Sequence, residues 1–285
     1  MDEIKKKKFV RKDALEAEAA AKRRRNRPKG YLGCMLGLSV GIAGLAAARF
    51  GQLWVGFDVF SQFTPQFMFL VAAFALGIFM PHGKVLTAVV LLIAMVVGYS
   101  VWPYYASANP TVMSTVKDGE REIRVASYNT LFNNNEVEEV KAEIIRLNAD
   151  VIVLVELGPN KRGIFDQLLS QYPYQAKCSD PTHCNFGILS KYPLTKIGDR
   201  MIWEGPPYIR ASLGPEYGSL SIYGVHTTRF PYSRSQLAQA RALAVELDAI
   251  TGSRIVMGDF NATPYSRVTQ TFAAQGNFTR LTDLP

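Results

Sequence analysis

Histidine and cysteine are scarce in this chain, three of each among 285 residues. So few histidines, with His82 lying in a short turn between apolar runs, argue against a histidine-rich zinc centre. An excess of either charge is missing from the larger C-terminal part: from Pro103 to Pro285, Lys+Arg and Asp+Glu number 18 each. The net charge of +8 therefore comes from the N-terminus, where residues 1–30 hold 12 Lys+Arg against 5 Asp+Glu. The basic pI therefore belongs to the N-terminal tail and says nothing in favour of a nucleic-acid-binding face on the C-terminal part. Internal repeats are absent, and so is low complexity after residue 30. Charge is absent altogether from two 18-residue runs, Tyr31–Ala48 and Val85–Trp102.

Those uncharged runs set the domain organisation. A membrane-spanning helix needs about 20 apolar residues, with a range of about 17–25. The expectation is three transmembrane helices within 31–102, at about 31–48, 62–80 and 85–102, the middle one long enough only if Ser61 to Thr64 contribute. Trp102, Tyr104 and Tyr105 form an interfacial belt after the third. The basic tail, 1–30, keeps the N-terminus in the cytoplasm, and three spans then carry everything after Trp102 to the other side. In a second reading the first run is a signal peptide cut near Ala46-Ala47-Ala48. Two spans would then remain, and the C-terminal part would still lie outside.

Residues 103–119 read as a linker, and 120–285 as one domain. Glu122–Asn129 alternates and suits a strand; Val137–Leu147 has helical spacing; Asp150–Glu156 is a near-continuous apolar run, as in a strand buried on both faces. A helix is expected at Ile164–Ser170, a strand at Asn185–Ser190, a strand pair at Tyr208–Leu213 and Ser219–His226, and an amphipathic helix at Ser233–Ile250. The apolar residues Ile255, Val256 and Met257 then run into Gly258-Asp259-Phe260-Asn261-Ala262-Thr263-Pro264. Alternation of strands and helices defines an α/β fold.

Four of these strand ends carry polar groups: Asn129, Glu156, His226, and the Asp259/Asn261 pair. A buried strand ending on a carboxylate needs a partner for the charge. Hard oxygen donors with amide neighbours suit Mg²⁺ or Mn²⁺ better than zinc. His226 suits proton transfer or a hydrogen bond to an anionic oxygen, Asp259 can orient or deprotonate a water, and Asn129 and Asn261 can donate to phosphate oxygens. Together they describe metal-assisted hydrolysis of a phosphate ester. The competing reading of Asp259 and Asn261 is a plain Asx turn. Arg210 is a further candidate for phosphate binding, against a solvated strand face, and Thr227, Thr228 and Arg229 follow His226 on the substrate side.

Ser127-Tyr128-Asn129, the run into Glu156, Gly187-Ile188-Leu189-Ser190-Lys191-Tyr192-Pro193, Gly224-Val225-His226-Thr227 and Gly258–Pro264 together resemble the endonuclease/exonuclease/phosphatase superfamily. The basic tail and spans resemble the layout of its membrane-bound bacterial members. The resemblance implies a four-layer α/β sandwich of two mixed sheets. It implies that Glu156 binds the metal beside Asn129, that His226 contacts the scissile phosphate, that Asp259 acts on the attacking water, and that Asn261 binds a phosphate oxygen. It also implies a bacterial plasma membrane with the catalytic domain periplasmic or extracellular. The implied partner is a phosphate ester substrate (nucleic acid, phospholipid headgroup or small phosphodiester), with no obligatory protein partner. The superfamily's final Asp-His pair has no counterpart after Asn261, since Asp283 is followed by Leu284. The expectation is a fragment of a longer protein, or a truncated form, hydrolysing a generic phosphodiester poorly. A non-catalytic binding or scaffold module of the same fold is the alternative. Cys34 packs in the first apolar run. Cys178 and Cys184 read as a disulfide, against two free thiols or a metal site with His183.

Overall fold

The computed structural model describes residues 31–79, 122–180, 184–201 and 204–281. The described residues divide into two compact units, one from 31–46 and 63–79, the other from 47–62 and from residue 122 onward.

In the first unit, helix α1 (Tyr31–Phe50) continues two residues past the expected span, and helix α2 covers Thr64–Phe79. Leu38, Leu45, Val71 and Ala75 are buried where the two helices meet. Gly37, Gly41 and Gly44 recur along one face of α1 and make that approach possible. A Cβ on Gly41 would stand 2.9 Å from Val71 Cγ2 and 3.1 Å from the Val71 backbone nitrogen; Cβ atoms on Gly37 and Gly44 would stand 2.4 Å from the Phe74 and Phe67 rings. Gly41→Ile is therefore expected to separate α1 from α2. The test is a disulfide introduced across the pair, which should form in the parent and fail in the variant. Among the described residues only α1, over Leu32–Phe50, is long and apolar enough to cross a membrane. α2 begins at Thr64, two residues after the expected start at about 62, and is described as far as Phe79. The third span, the basic tail and the linker lie outside the described residues.

The second unit contains two four-stranded mixed sheets. Strands β1 (Val125–Asn129), β2 (Val151–Val155), β3 (Tyr174–Lys177) and β4 (Gly187–Ser190) form the first, in the order β1-β2-β4-β3. Strands β5 (Leu194–Arg200), β6 (Tyr208–Leu213), β7 (Ser221–His226) and β8 (Arg254–Asp259) form the second, in sequence order. Each sheet has one parallel pair, β1 with β2 and β7 with β8; the remaining pairings are antiparallel.

Strand alternation builds the layers. Val151, Val153 and Val155 of β2 join Ile188, Ile209, Ala211, Leu213 and Ile222 in the core between the sheets. Ile152 and Leu154 point the other way, into a core with Val140 and Ile144 of helix α3 (Val137–Leu147) and with Ile164 and Phe165 of the single-turn helix α4 (Ile164–Gln167). Tyr223 and Val225 of β7 pack under helix α5 (Ser233–Asp248) and helix α6 (Arg267–Gly276). This is the expected helix–sheet–sheet–helix sandwich. Gly224 lets the sheets approach closely at the centre, since a Cβ there would lie 2.5 Å from Val153 Cγ1. Helix α4 ends at Gln167, short of the expected Ser170, and β3, β5 and α6 were not anticipated.

Candidate metal and phosphate site

The two parallel pairs end at the same place. Asn129 is in register with Val155, the residue before Glu156, and His226 is in register with Asp259. Parallel strands project their carboxyl-end residues together, and ligand crevices of open α/β sheets form there. Backbone strain marks the same spot: Glu156 has φ +55° and Asn261 φ +48°, conformations that cost a non-glycine residue about 1–2 kcal/mol. Gly258 has φ +138°, and a Cβ there would lie 2.0 Å from the Val225 carbonyl oxygen, so glycine is obligatory before Asp259.

Glu156, His226 and Asp259 bring one ligand atom each within 4.8 Å of one another. His226 Nε2 lies 3.4 Å from Glu156 Oε1. The Asn129 amide nitrogen donates to Glu156 Oε1 and to Asp259 Oδ2, both at 3.0 Å, while its oxygen accepts from the Leu131 N–H at 2.9 Å. Asn129 thus sets the spacing of the carboxylates. Glu156 Oε2 accepts from the Phe132 N–H (3.1 Å). Burial pushes the Glu156 carboxyl up, but the bonds from Asn129 and Phe132 and the nearby His226 and Arg229 outweigh it and hold the group below its ordinary value. Glu156 is therefore ionised at neutral pH. Asp259 Oδ1 accepts from the Asn261 N–H (2.7 Å), the Asx geometry that the competing reading anticipates, and here it aims the carboxylate into the cluster.

Asn261 turns its amide to the Thr227 carbonyl (2.9 Å), and the buried Gln236 donates to the carbonyls of Phe260 (3.0 Å) and Asn261 (2.6 Å). Thr227 Oγ1 donates to the Phe260 carbonyl. Lys161, fully buried, gives its ammonium to the carbonyls of Leu131 (2.9 Å), Phe132 (3.1 Å) and Asn134 (2.9 Å), which fixes the turn that offers the Phe132 N–H to Glu156. Burial lowers the Lys161 pKa, and the Glu156 charge opposes that. Gln236 and Lys161 were not anticipated. The one signal for Gln236 is its place on the buried stripe of α5 beside Leu237, Ala240 and Leu243.

A cavity of about 510 Å³ opens beside the cluster, with Glu156, His226 and Asn261 in its wall and Thr228, Arg229 and Tyr232 farther along. Thr227, Thr228 and Arg229, which follow His226, all line this cavity. Arg210 does not line the cavity. Alternation on β6 puts it on the face away from the inter-sheet core, its guanidinium 5.2 Å from the Tyr223 ring centroid and 3.5 Å from Ser221 Oγ. Cys178 and Cys184 are joined, their Cα atoms 5.7 Å apart. His183 lies outside the described residues.

Two facing carboxylates, an imidazole and amide donors form an oxygen-rich set that fits a hard divalent cation. The family model described as "Endonuclease/Exonuclease/phosphatase family" matches residues 126–283, more than half of the chain. No curated protein matches significantly. Among solved structures, a beta toxin double mutant from Staphylococcus aureus with bound magnesium ions is 16% identical, with a TM-score of 0.44 and coverage of 56% of this chain and 72% of that one. Sphingomyelinase C from Streptomyces griseocarneus is 20% identical (TM-score 0.43; 55% and 70% covered). The human Nocturnin catalytic domain with bound sulfate is also 20% identical (TM-score 0.43; 54% and 70% covered).

Proposed function

This chain belongs to the endonuclease/exonuclease/phosphatase family, and on that premise we propose that it is a divalent-metal-dependent phosphoric ester hydrolase, tethered to a membrane by its apolar N-terminal part, with the catalytic domain outside the cytoplasm. The observation that carries the reading is the meeting of Glu156, His226 and Asp259 within 4.8 Å at the carboxyl ends of two parallel strand pairs. Glu156 would hold Mg²⁺ or Mn²⁺ with Asn129 beside it, and Asn129 fixes the distance from Glu156 to Asp259. Such an ion, when bound, offsets negative charge on a phosphoryl oxygen. His226 donates a hydrogen bond from Nε2 to a phosphoryl oxygen. Asp259 orients the attacking water and takes its proton. Asn261 keeps one amide hydrogen on Thr227 and offers the other to phosphate. Arg229 adds positive charge along the cavity wall.

The tether is supported by α1 and by the twelve basic residues before it. Leu53 and Trp54, 77% and 53% exposed, follow α1 directly, and tryptophan is enriched where spans meet the interface. The zero net charge of residues 103–285 gives a polyanionic nucleic acid no special advantage. A phosphorylated lipid headgroup or a small phosphodiester suits a tethered, neutral domain better. Calorimetric titration of the full chain with Mn²⁺ is expected to show one site. Absence of binding heat at any practicable concentration would overturn the reading in favour of a non-catalytic module.

A further inference from the structure

Residues Gly51–Gln62 lie between the two apolar helices and outside the family match at 126–283, yet they belong to the same compact unit as the two sheets. This strap, whose second half is a 3₁₀ helix over Val55–Phe63, touches the chain immediately after Asn261. Gln62 Oε1 accepts from the Thr263 N–H (3.1 Å), and the Ser61 carbonyl accepts from Thr263 Oγ1 (3.2 Å). Gln52 Nε2 donates to the Tyr265 carbonyl (3.2 Å). Asp58 Oδ1 accepts from the Arg267 N–H (2.7 Å). Val55 packs against the core under α5 and α6.

These contacts fall on one short loop. Arg267 opens helix α6, so Asp58 supplies an acceptor oxygen to a helix N-terminus whose N-cap, Ser266, already bonds to the Thr269 N–H. Asp58 is fully buried. Burial pushes its carboxyl up, and the Arg267 N–H and Ser61 are among the partners that oppose this. A carboxylate sunk into the interior is costly unless its bonds are needed there. From the other side the same loop is held by Thr227 and Gln236, through Phe260 and Asn261. The loop that presents Asp259 and Asn261 is thus clamped at both ends, and one clamp comes from outside the family domain.

We propose that Asp58 and Gln62 are positioning residues for the hydrolytic site: the strap between the apolar helices fixes the Phe260–Arg267 loop, and through it Asp259 and Asn261, so that the segment leading from the tether completes the site. The proposal rests on the phosphoesterase reading above for its effect on turnover, but not for its effect on the loop.

The test uses the full chain with Gln62→Ala and Gln62→Glu, the latter keeping an acceptor oxygen for Thr263. Asp58→Asn and Asp58→Ala form a second pair. Hydrogen exchange followed by mass spectrometry reads residues 259–268 and, as a control, residues 151–156. Losing one part-buried hydrogen bond is expected to speed exchange in the loop about 5- to 10-fold in Gln62→Ala. The control should not change, and Gln62→Glu should restore protection. With a phosphodiester substrate kcat should fall by a similar factor in Gln62→Ala and recover in Gln62→Glu, with KM unchanged. Unchanged loop exchange, equal acceleration of loop and control, or no rescue by Gln62→Glu would each overturn the proposal. So would faster loop exchange with kcat unaltered in an active chain. If the wild-type chain binds no metal and turns nothing over, the hydrolase reading fails. The exchange arm still shows whether the strap holds the loop.

Discussion

Asp259→Asn is expected to lower kcat by about 10²- to 10⁴-fold, the range that positioned acid–base groups supply, while KM changes little. The substitution removes the carboxylate while keeping the size of the side chain. Asparagine has the size of aspartate and keeps an oxygen where Oδ1 accepts from the Asn261 N–H at 2.7 Å, so the left-handed turn at Asn261 persists. Gln236 and Thr227 continue to hold the loop carbonyls. What disappears is the charge, and with it the capacity to take a proton from water, together with the acceptor at Oδ2 for the Asn129 amide (3.0 Å). Steady-state kinetics on a phosphodiester check this. A variant with wild-type kcat would remove Asp259 from the chemistry.

Glu156→Gln should raise the metal concentration needed for half-maximal activity by more than the roughly 10- to 100-fold that loss of an outer-shell partner costs. Glu156 faces His226 Nε2 at 3.4 Å through Oε1, and its two oxygens receive the Asn129 amide and the Phe132 N–H. Those bonds fix the orientation of the carboxylate before any cation arrives, and they keep it ionised. An uncharged glutamine would retain one acceptor and lose the charge that attracts the ion. The Phe132 N–H itself is held in place by Lys161, so the cost of Glu156→Gln should exceed that of any change in this supporting shell. Mn²⁺ titration of the rate, with wild type and variant side by side, reads the shift. Equal midpoints would place the metal elsewhere.

Much of the sandwich was legible because its central elements carry strong periodicity. The five-residue apolar run of β2, buried on both faces, is unmistakable, and α3 occupies the predicted Val137–Leu147. The missed elements carry weak signals. β3 has four residues at the edge of its sheet, mostly not buried. In β5 a register shift between Lys196 and Gly198 breaks the two-residue period. α6 depends on its Ser266 cap and on packing of Val268 and Phe272, more than on a long apolar stripe.

The site followed a similar division. Polar residues that end buried strands could be picked out one at a time, and Asn129, Glu156, His226 and Asp259 do meet. Arg210 sits within a strand and not at its end, so alternation sends it toward Tyr223 and away from the cavity. Lys161, Gln236 and Asp58 act on loops distant in sequence: Asp58 is 209 positions from Arg267. No local pattern encodes such a pairing. Uncharged runs identify apolar helices but not where they start: α2 begins at Thr64, after a 3₁₀ helix, and not near residue 62.

Hydrolysis of bis(p-nitrophenyl) phosphate by the full chain, with Mg²⁺ or Mn²⁺ and with excess EDTA, is the measurement that bears most directly on the hydrolase assignment. Metal-dependent release of p-nitrophenol, abolished by EDTA and above the rate of Asp259→Asn, is the predicted result, however slow the turnover. Equal rates with metal, with EDTA and in Asp259→Asn would contradict it.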